Sequence, residues 1–388
     1  MLQTLPIRIA ILLLVSWAFL QAGLISAVAC SRFVFLGQNG NIFTARSMDW
    51  QKPIDTNLYV LPQGMERNGG VGPNSIRWTS KYGSLVAPVF NSFTSDGVNE
   101  AGLSANILWL EESQYPAFDA GGPPGLAVSA WAQYALDNFA TVAEAVAEFE
   151  KKPFTLVTSK LPGAQFTTTV HLSLSDSTGD SAIIEYIDGK EVIHHGRQFQ
   201  VLTNSPTYDQ QLALASYWTQ IGGNVMLPGT SRASDRFARA SFFVKAISPD
   251  GDPLQLLASV YGILRNISVP LGISTPDHPE IASTRWRTVY DHKSRLYYFD
   301  SALSPNTFWT DLNQIDFSKE TGKVLKLDLG PEQRNVFAGN ATGSYREAEP
   351  FPLAGLQNCW RGLMPDCRFA RCSSAKAIRH AELAMTTP

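Results

Sequence analysis

Cys30 lies directly after Ala27-Val28-Ala29, three small residues with the pattern of a signal-peptide cleavage site. A cut after Ala29 makes Cys30 the first residue of the mature chain. Such a residue carries a thiol together with a free α-amine, whose unperturbed pKa is about 7.7 to 8.0. The amine can therefore act as the base for the thiol near neutral pH, and the nucleophile needs no separate histidine.

The segment that precedes this cysteine has the composition of a signal peptide. Arg8 is its only charged residue, and residues 9–20 are apolar apart from Ser16. This run is shorter than the roughly 20 apolar residues of a membrane span. We expect residues 1–29 to be removed, and the mature chain to be periplasmic or secreted, without stable insertion in a membrane.

Two other classes of protein fit part of this pattern. In bacterial lipoproteins the cysteine after the cut receives a lipid and its amine is acylated, but those signals favour leucine where this chain has Ala27. The corresponding function is that of a lipid-anchored exported binding protein. A papain-like peptidase would need a histidine partner for the thiol. His194 and His195 fall in one predicted strand and point to opposite faces, so they do not suggest one.

A predicted β-hairpin holds the cysteine in place. Residues 30–36 and 41–49 read as two strands, and residues 37–40 (Gly-Gln-Asn-Gly) supply the turn between them. With these bounds Cys30 lies opposite Ser47, within one residue for an unseen bulge. The end of the second strand is therefore expected beside the amine.

Arg46 and Asp49 are the charged residues at that strand end. A carboxylate at Asp49 can accept hydrogen bonds from the α-amine and orient it. A guanidinium at Arg46 can stabilise the thiolate of Cys30 and lower the pKa of the thiol. We expect both side chains to serve the cysteine rather than to form a solvated pair.

Composition limits the other functions that the chain can have. The 388 residues are 44% hydrophobic with a net charge of -3, so they can bury a large core and form no basic patch suited to nucleic acid. Cys359, Cys367 and Cys372 crowd the C-terminal end and can form at most one disulfide among themselves. No histidine pair lies near them to complete a zinc site, and we expect no cofactor.

An ordered set of motifs along the chain resembles the choloylglycine hydrolases, a family that includes penicillin V acylases and conjugated bile-salt hydrolases within the N-terminal-nucleophile hydrolases. The motifs are the opening Cys30, residues 46–50 (RSMDW), 96–103 (DGVNEAGL), 202–206 (LTNSP), 227–229 (LPG) and 234–237 (SDRF). The resemblance covers most of the mature chain. It implies an α+β fold, a four-layer αββα sandwich, and cysteine-dependent hydrolysis of a linear amide.

The resemblance also implies roles for particular residues. Arg46, Asp49, Asn204 and Arg236 fall on the family's catalytic positions. Asn204 would donate a hydrogen bond to the oxyanion, and Arg236 would complete the charged network around Cys30.

A second oxyanion donor and an acyl pocket are expected in addition. Asn106 or a backbone N–H would be the second donor, since one oxyanion usually needs more than one hydrogen bond. Met48, Trp50 and Trp109 follow or border catalytic positions, and aromatic walls suit a flat or greasy acyl group.

The remaining pattern agrees with a layered α+β architecture rather than a parallel βαβ sheet. It predicts strands over 84–94 and 103–110 around a turn at 96–102, a helical stretch over 126–151 with Thr141 and Glu144 as a capping box, a strand meander from 167 to 202, helices over 209–220, 234–246 and 254–266, and a last meander from 284 to 300. We expect one hydrolase domain over 30–350, followed by a tail, 351–388, of uncertain structure.

The expected substrates follow from the same resemblance. The stretch from Asn204 to Arg236 is shorter than in the bile-salt hydrolases and is similar to that of the penicillin-acylase branch of Gram-negative bacteria, which also accepts N-acyl homoserine lactones. We therefore favour penicillin V or acyl lactones over conjugated bile salts, which remain the alternative. The family uses the longer stretch for tetramer assembly, so a homo-oligomer, tetramer or dimer, is left open.

Overall fold

The protein is described by a computed structural model over residues 30–158, 167–274 and 282–353. In these residues twenty strands, β1–β20, are in chain order Cys30–Leu36, Ile42–Trp50, Leu58–Leu61, Glu66–Asn68, Arg77–Thr79, Ser84–Val89, Phe93–Asn99, Ser104–Trp109, Gly125–Ala127, Thr155–Val157, Val170–Ser175, Ser181–Ile187, Lys190–His195, Val201–Leu202, Ser283–Asp291, Leu296–Ser301, Thr307–Asp311, Leu325–Leu327, Gly339–Asn340 and Arg346–Glu347. The five α-helices of the same residues, α1–α5, are Trp131–Asn138, Val142–Phe149, Tyr208–Gln220, Ala233–Ala246 and Pro253–Asn266.

Two large sheets, antiparallel in most of their pairs, form the centre of the fold. Sheet A has seven strands in the order β14-β1-β2-β15-β16-β17-β19, and sheet B has nine in the order β13-β12-β11-β8-β7-β6-β3-β18-β20. Strand β1 of sheet A contacts β8 of sheet B, so the sheets face each other. Helices α4 and α5 pack on sheet A, and α1 and α2 pack on sheet B. The layers are therefore αββα, and the predicted fold class is confirmed.

Side chains of β1 and β2 alternate between the two neighbouring layers, as the pleat requires. Arg32 points into the space between the sheets, where it donates to Ser181 Oγ and to the carbonyl of Leu174. Its neighbour Ser31 points the other way and accepts from Arg236 on α4. Consecutive residues at the start of β1 thus face opposite sides of sheet A.

The hairpin of β1 and β2 differs from the predicted register by one residue. Leu36 pairs with Ile42, because the turn contains five residues and closes with a bond from the Gly37 N–H to the Asn41 carbonyl at 2.9 Å. Cys30 therefore lies opposite Met48 instead of Ser47, within the stated tolerance. A shift of one residue exchanges the faces of a strand, so it decides which side chains meet the thiol.

The strand predicted over 84–94 is wrong, because it is two strands, β6 and β7. A tight turn at Phe90 and Asn91 joins them, with φ of 54° and 47° and a bond from the Ser92 N–H to the Val89 carbonyl at 3.2 Å. Turns of this type have positive φ at both central residues and usually contain glycine, which is lacking here. Residues 96–99, predicted as a turn, belong to β7.

The predicted helical stretch over 126–151 begins with β9 and then divides into α1 and α2. Thr141 caps α2 by accepting from the Glu144 N–H at 3.2 Å, while the Glu144 carboxylate accepts from Ala140 at 2.8 Å. The three later helices lie within one residue of their predicted bounds. In the described ranges, no helix has the length and apolar character needed to cross a membrane.

Several predicted features lie outside the described residues, and the predicted domain over 30–350 stays a prediction. These are the signal peptide at 1–29, most of the tail after residue 350, and the cysteines at 359, 367 and 372. All of the described residues belong to one compact unit.

Candidate active site

Cys30 opens β1 and is 97% buried, with 3% of its surface exposed. Its Sγ points between the sheets and lies 3.7 Å from Arg46 Nη2, 3.9 Å from Met48 Sδ and 3.8 Å from the carbonyl oxygen of Asp49. Burial raises the pKa of the thiol above its ordinary value, although the charge of Arg46 lowers it. Arg46 thus acts in the expected direction, but desolvation is the larger effect.

The backbone nitrogen of Cys30 is bonded to Asn204. Strand β14 pairs with β1, with Leu202 opposite Arg32. Because the strands are antiparallel, Asn204, two residues after Leu202, lies beside Cys30, two residues before Arg32. The Cys30 N–H donates to Asn204 Oδ1. The Asn204 Nδ2 group donates to the carbonyl of Trp109 at 2.8 Å.

Arg236, on helix α4, holds Cys30 and Asn204 in place through hydrogen bonds. Its Nη1 donates to the Cys30 carbonyl and to Ser31 Oγ, both at 2.5 Å, and its Nη2 donates to Asn204 Oδ1 at 3.0 Å. The side chain is fully buried, and burial lowers the pKa of the guanidinium while the charge of Asp49 raises it. The residue therefore fixes both Cys30 and the amide of Asn204.

Asp49 lies on the face of β2 opposite to that of Met48 and Arg46. Its Oδ1 accepts from the Thr284 hydroxyl at 2.6 Å, and its Oδ2 is buried without a hydrogen-bond partner among the described residues. Burial raises the pKa of this carboxyl to about 6, against the lowering effects of the Arg236 charge, of the hydroxyls of Thr284 and Ser47, and of the Arg287 charge. The thiol and the carboxylate thus lie on the two sides of sheet A, with the Cys30 nitrogen at its edge.

Arg46 bridges the ends of β7 and β8. The ladder between these strands stops at Asp96 and Asn106, and the next facing residues would be Ser95 and Ile107. Arg46 instead donates from Nη1 to the Ser95 carbonyl at 2.9 Å and from Nη2 to the Ile107 carbonyl at 3.1 Å. The guanidinium separates the two strands at this point.

Asp96 balances the buried charge of Arg46, with Oδ2 lying 3.8 Å from Nη1. It also accepts from Asn106 Nδ2 at 2.6 Å, from Thr288 Oγ1 at 3.2 Å and from the Tyr297 hydroxyl. Burial raises the pKa of the Asp96 carboxyl. This network lies between the sheets and joins sheet A to sheet B.

The contacts of Asn106 in the described residues give no support to its expected role as an oxyanion donor. Its amide is directed to Asp96, and it is absent from the walls of the pocket that contains Cys30. The second donor, Asn106 or a backbone N–H, stays a prediction, and the backbone N–H is the favoured candidate.

An apolar pocket of about 40 Å³ opens beside Cys30. Its walls come from both sheets: Arg46, Met48, Trp50, Ile54, Val89, Phe90, Phe93, Ser95, Ile107, Leu108, Trp109, Thr168 and Val170. The ring of Trp50 lies 6.0 Å from that of Phe90 and 6.1 Å from that of Trp109, in edge-to-face arrangements. All three residues predicted to line an acyl pocket, Met48, Trp50 and Trp109, are among these walls.

Three residues of the site were missed by the sequence reasoning. Thr284 was only the first residue of a predicted strand, and nothing local links it to Asp49. Phe90 lay within a predicted strand and is instead presented to the pocket by the turn. Asp96 belonged to a recognised motif, but it was assigned to a turn rather than to the ion pair with Arg46.

Histidines take no part in the recorded contacts of the thiol within the described ranges. His194 Nε2 lies 3.7 Å from Asp209 and His195 Nε2 lies 2.8 Å from Asp180, both away from Cys30. The geometry gives no support to a papain-like pair.

An αββα sandwich in which a buried cysteine opens a central strand, surrounded by arginine, aspartate and asparagine side chains, defines the N-terminal-nucleophile class of amide hydrolases. The model of the linear amide C–N hydrolases, choloylglycine hydrolase family, matches residues 30–325. The chain belongs to this family.

Known relatives agree with this assignment. The chain is 54% identical over 351 residues, 85% of its own length and 93% of the relative's, to a penicillin V acylase of Pectobacterium atrosepticum. It is 25% identical over 321 residues, 75% of this chain and 93% of the relative, to a bile salt hydrolase/transferase of Clostridium perfringens. The solved structure of a penicillin V acylase from Agrobacterium tumefaciens is 60% identical, with a TM-score of 0.79 over 84% of this chain and 100% of that one.

Proposed function

We propose that this protein is an exported acylase that cleaves the amide of a slim acyl group, either the phenoxyacetyl group of penicillin V or the acyl chain of an N-acyl homoserine lactone. The observation that carries the proposal is the apolar pocket beside Cys30 Sγ, walled by Trp50, Phe90 and Trp109. Aromatic walls favour flat or aliphatic acyl groups. The high identity to two penicillin V acylases supports penicillin V as a substrate.

The base in this mechanism is the α-amine that a cut after Ala29 releases on Cys30. The family match that begins at residue 30 supports the cut. In the full-length chain the nitrogen belongs to a peptide bond, and its single hydrogen goes to Asn204. An α-ammonium has two further hydrogens, and the unpartnered Oδ2 of Asp49 is a buried acceptor of the matching charge. The carboxylate would thus hold the amine and stabilise its protonated form.

Acylation follows from these positions. The amine takes the proton of the thiol, directly or through a water, while Sγ attacks the carbonyl carbon of the substrate. The resulting oxyanion accepts from the second N–H of Asn204 Nδ2, since the first is bonded to Trp109, and from a backbone N–H. One such donor typically stabilises the transition state by about 2.7 to 4 kcal/mol.

The same groups complete acylation and then catalyse deacylation. The protonated amine gives its proton to the leaving nitrogen as the C–N bond breaks, which leaves a thioester on Cys30. Water then attacks the thioester, the amine takes a proton from it, and the acid and the free thiol are released. Arg46 stays 3.7 Å from Sγ and offsets part of the cost of a buried thiolate.

Pocket size favours the first of the two candidate groups of substrates. The pocket of about 40 Å³ suits a phenyl ring or an alkyl chain only after small side-chain movements, whereas the four fused rings of a bile acid need a much wider opening. Hydrolysis of conjugated bile salts is therefore the second candidate. The weaker similarity to a bile salt hydrolase/transferase is what supports it.

A hydrolysis panel tests the proposal. The mature protein starting at Cys30 would be assayed with penicillin V, an N-acyl homoserine lactone and glycocholate, and we expect the highest kcat/KM for one of the first two. A clear preference for glycocholate would overturn the proposed substrates in favour of the second candidate. Intact mass on protein recovered from its export host adds the localisation: an unmodified chain beginning at Cys30 agrees with export, whereas a diacylglyceryl adduct would indicate a lipid-anchored protein.

Replacing the carboxylate is expected to weaken activity without removing it. In Asp49→Asn the amine survives but loses its charged acceptor, so we expect kcat to fall by about 10- to 100-fold, less than for a blocked amine. Burial raises the pKa of Asp49 to about 6 in the chain that retains residue 29, and the ammonium of the mature chain would lower it, so wild-type activity should decline below about pH 6. The pH profiles of kcat/KM for both proteins check this, and an unchanged profile in the variant would contradict the role.

In chains that retain residue 29, the pH dependence of folding stability should have the opposite sign to that of activity. Folding raises the pKa of Asp49 from 3.8 to about 6, so the folded state binds the proton more tightly. Wild-type stability then falls by about 1.4 kcal/mol per pH unit as the pH rises through this window, and the asparagine variant lacks this loss. Thermal unfolding at pH 4 and pH 7 should show the difference only at pH 7.

Phe90 is expected to contribute to selectivity for aromatic acyl groups. In Phe90→Ala the pocket loses the ring beside Trp50, so kcat/KM should fall by about tenfold for penicillin V and much less for an acetyl amide. Asn91→Gly is the matched control, because it keeps the ring and the positive φ of the turn. A similar loss for both substrates, or the same change in the control, would argue against a role in selectivity.

A further inference from the structure

The Thr284 hydroxyl accepts a hydrogen bond from one buried neighbour and donates another to a different one. Thr284 is the second residue of β15 and lies opposite Asp49 on β2, just before the register of the two strands shifts. Its Oγ1 accepts from the Val269 N–H at 2.9 Å and lies 2.6 Å from Asp49 Oδ1. Thr284, Val269 and Asp49 are each at most 1% exposed. Because the Val269 amide can only donate, the single hydroxyl proton goes to Asp49.

A second bond makes this arrangement rigid. The Thr284 N–H donates to the Val269 carbonyl at 3.0 Å, so the two residues are joined in both directions between the end of α5 and the start of β15. The β-branched side chain of Thr284 has little rotameric freedom. The hydroxyl therefore occupies one position relative to the carboxylate.

We propose that Thr284 is a positioning residue for the amine of Cys30, because it engages Oδ1 of Asp49 and leaves Oδ2 as the oxygen that receives the α-ammonium. This inference rests on the proposed function, in which the amine is the base. The hydroxyl has a second effect on the same carboxyl. A hydrogen bond donated to a carboxylate favours the charged form, so Thr284 keeps Asp49 ionised at a pH where burial alone would protonate it.

Loss of the Thr284 hydroxyl should thus change the kinetic parameters in a predictable direction. Without it, Asp49 can rotate and binds its proton more tightly, so the protonated amine is held less well. Catalysis should suffer, whereas the acyl pocket, which lies on the other side of sheet A, should bind substrate as before. The expected signature is a lower kcat, an almost unchanged KM and an acid limb displaced to higher pH.

The test uses mature protein starting at Cys30, with penicillin V as the probe. Thr284→Val removes the hydroxyl at nearly constant shape, and we expect kcat to fall by at least about tenfold with KM within about twofold and the acid limb raised by about one pH unit. Thr284→Ser restores the donor and should recover most of the activity and the original limb. Thr310→Val is the matched control, since it removes another buried hydroxyl bond of sheet A, to Tyr345, away from Cys30.

Each outcome decides the matter. If Thr284→Val keeps the wild-type kcat and acid limb, or if the serine variant is as impaired as the valine variant, Thr284 has no positioning role. If the valine variant does not fold, Thr284→Ala makes the same comparison with the serine variant. Asp49→Asn, measured in parallel, separates the two levels: an impaired Asp49→Asn with a normal Thr284→Val rejects this inference alone, whereas a normal Asp49→Asn rejects the amine–carboxylate arrangement itself.

Discussion

A chain whose Cys30 amine is blocked is expected to fold and to have negligible amidase activity. An amide nitrogen has no basic lone pair, so a residue retained ahead of Cys30 leaves the thiol without its proton acceptor. The thiol cannot compensate, because burial raises its pKa and keeps it protonated. We expect the rate to fall by several orders of magnitude, since acylation then lacks both the general base and the activated nucleophile.

The comparison is best made on one preparation. A variant with a removable residue before Cys30 would be assayed, cleaved and assayed again, with N-terminal sequencing at both stages. Activity should appear only after cleavage and in proportion to the fraction of free Cys30. Equal rates before and after cleavage would reject the N-terminal-nucleophile mechanism and return the question to a conventional cysteine site.

Cys30→Ser is expected to lose most activity although the two side chains differ by one atom. The hydroxyl has a far higher pKa than the thiol, so an amine of ordinary basicity removes its proton poorly, and we expect kcat to fall by at least about 100-fold. Folding should be unaffected, because the contacts of Sγ are 3.7 to 3.9 Å long and serine fits the same space.

Substrate binding provides the control for this variant. The pocket walls do not change, so the serine protein should bind the amide with nearly the wild-type affinity, and thermal unfolding should match that of the wild type. Near-wild-type turnover in the purified, correctly cleaved variant would show that Cys30 is not the nucleophile.

The site residues that lie within recognised sequence motifs were the easiest to predict. Arg46, Asn204 and Arg236 contact Cys30, and Asp49 follows Met48 at the end of the same strand, as the hairpin and the family resemblance led us to expect. The register was predicted to within one residue, because alternation and turn residues define a hairpin well. The face of each side chain was not, since a single extra turn residue exchanges the two faces.

Contacts between distant segments could not be predicted. Thr284 meets Asp49 only because β15 pairs with β2 across 235 positions of sequence. Asn106 was expected at the oxyanion, but its position on β8 directs it to Asp96 on the neighbouring strand. The turn at Phe90 lacks the glycine that normally announces positive φ, so a strand break inside an apolar run passed unnoticed.

The guanidinium of Arg46, which separates β7 from β8, also supplies a hydrogen-bond donor that β7 would supply in a continuous ladder. Beyond Asn106, β8 is no longer paired with β7, and the carbonyls of Ile107 and Trp109 accept instead from Arg46 and from Asn204. Buried carbonyls without a donor are costly, so these two side chains help to hold the molecule together. Random libraries screened for lost turnover will therefore recover unfolded and merely inactive proteins at the same two positions. Sorting by solubility before assay would separate them, and a stabilised parent would tolerate a wider range of substitutions there.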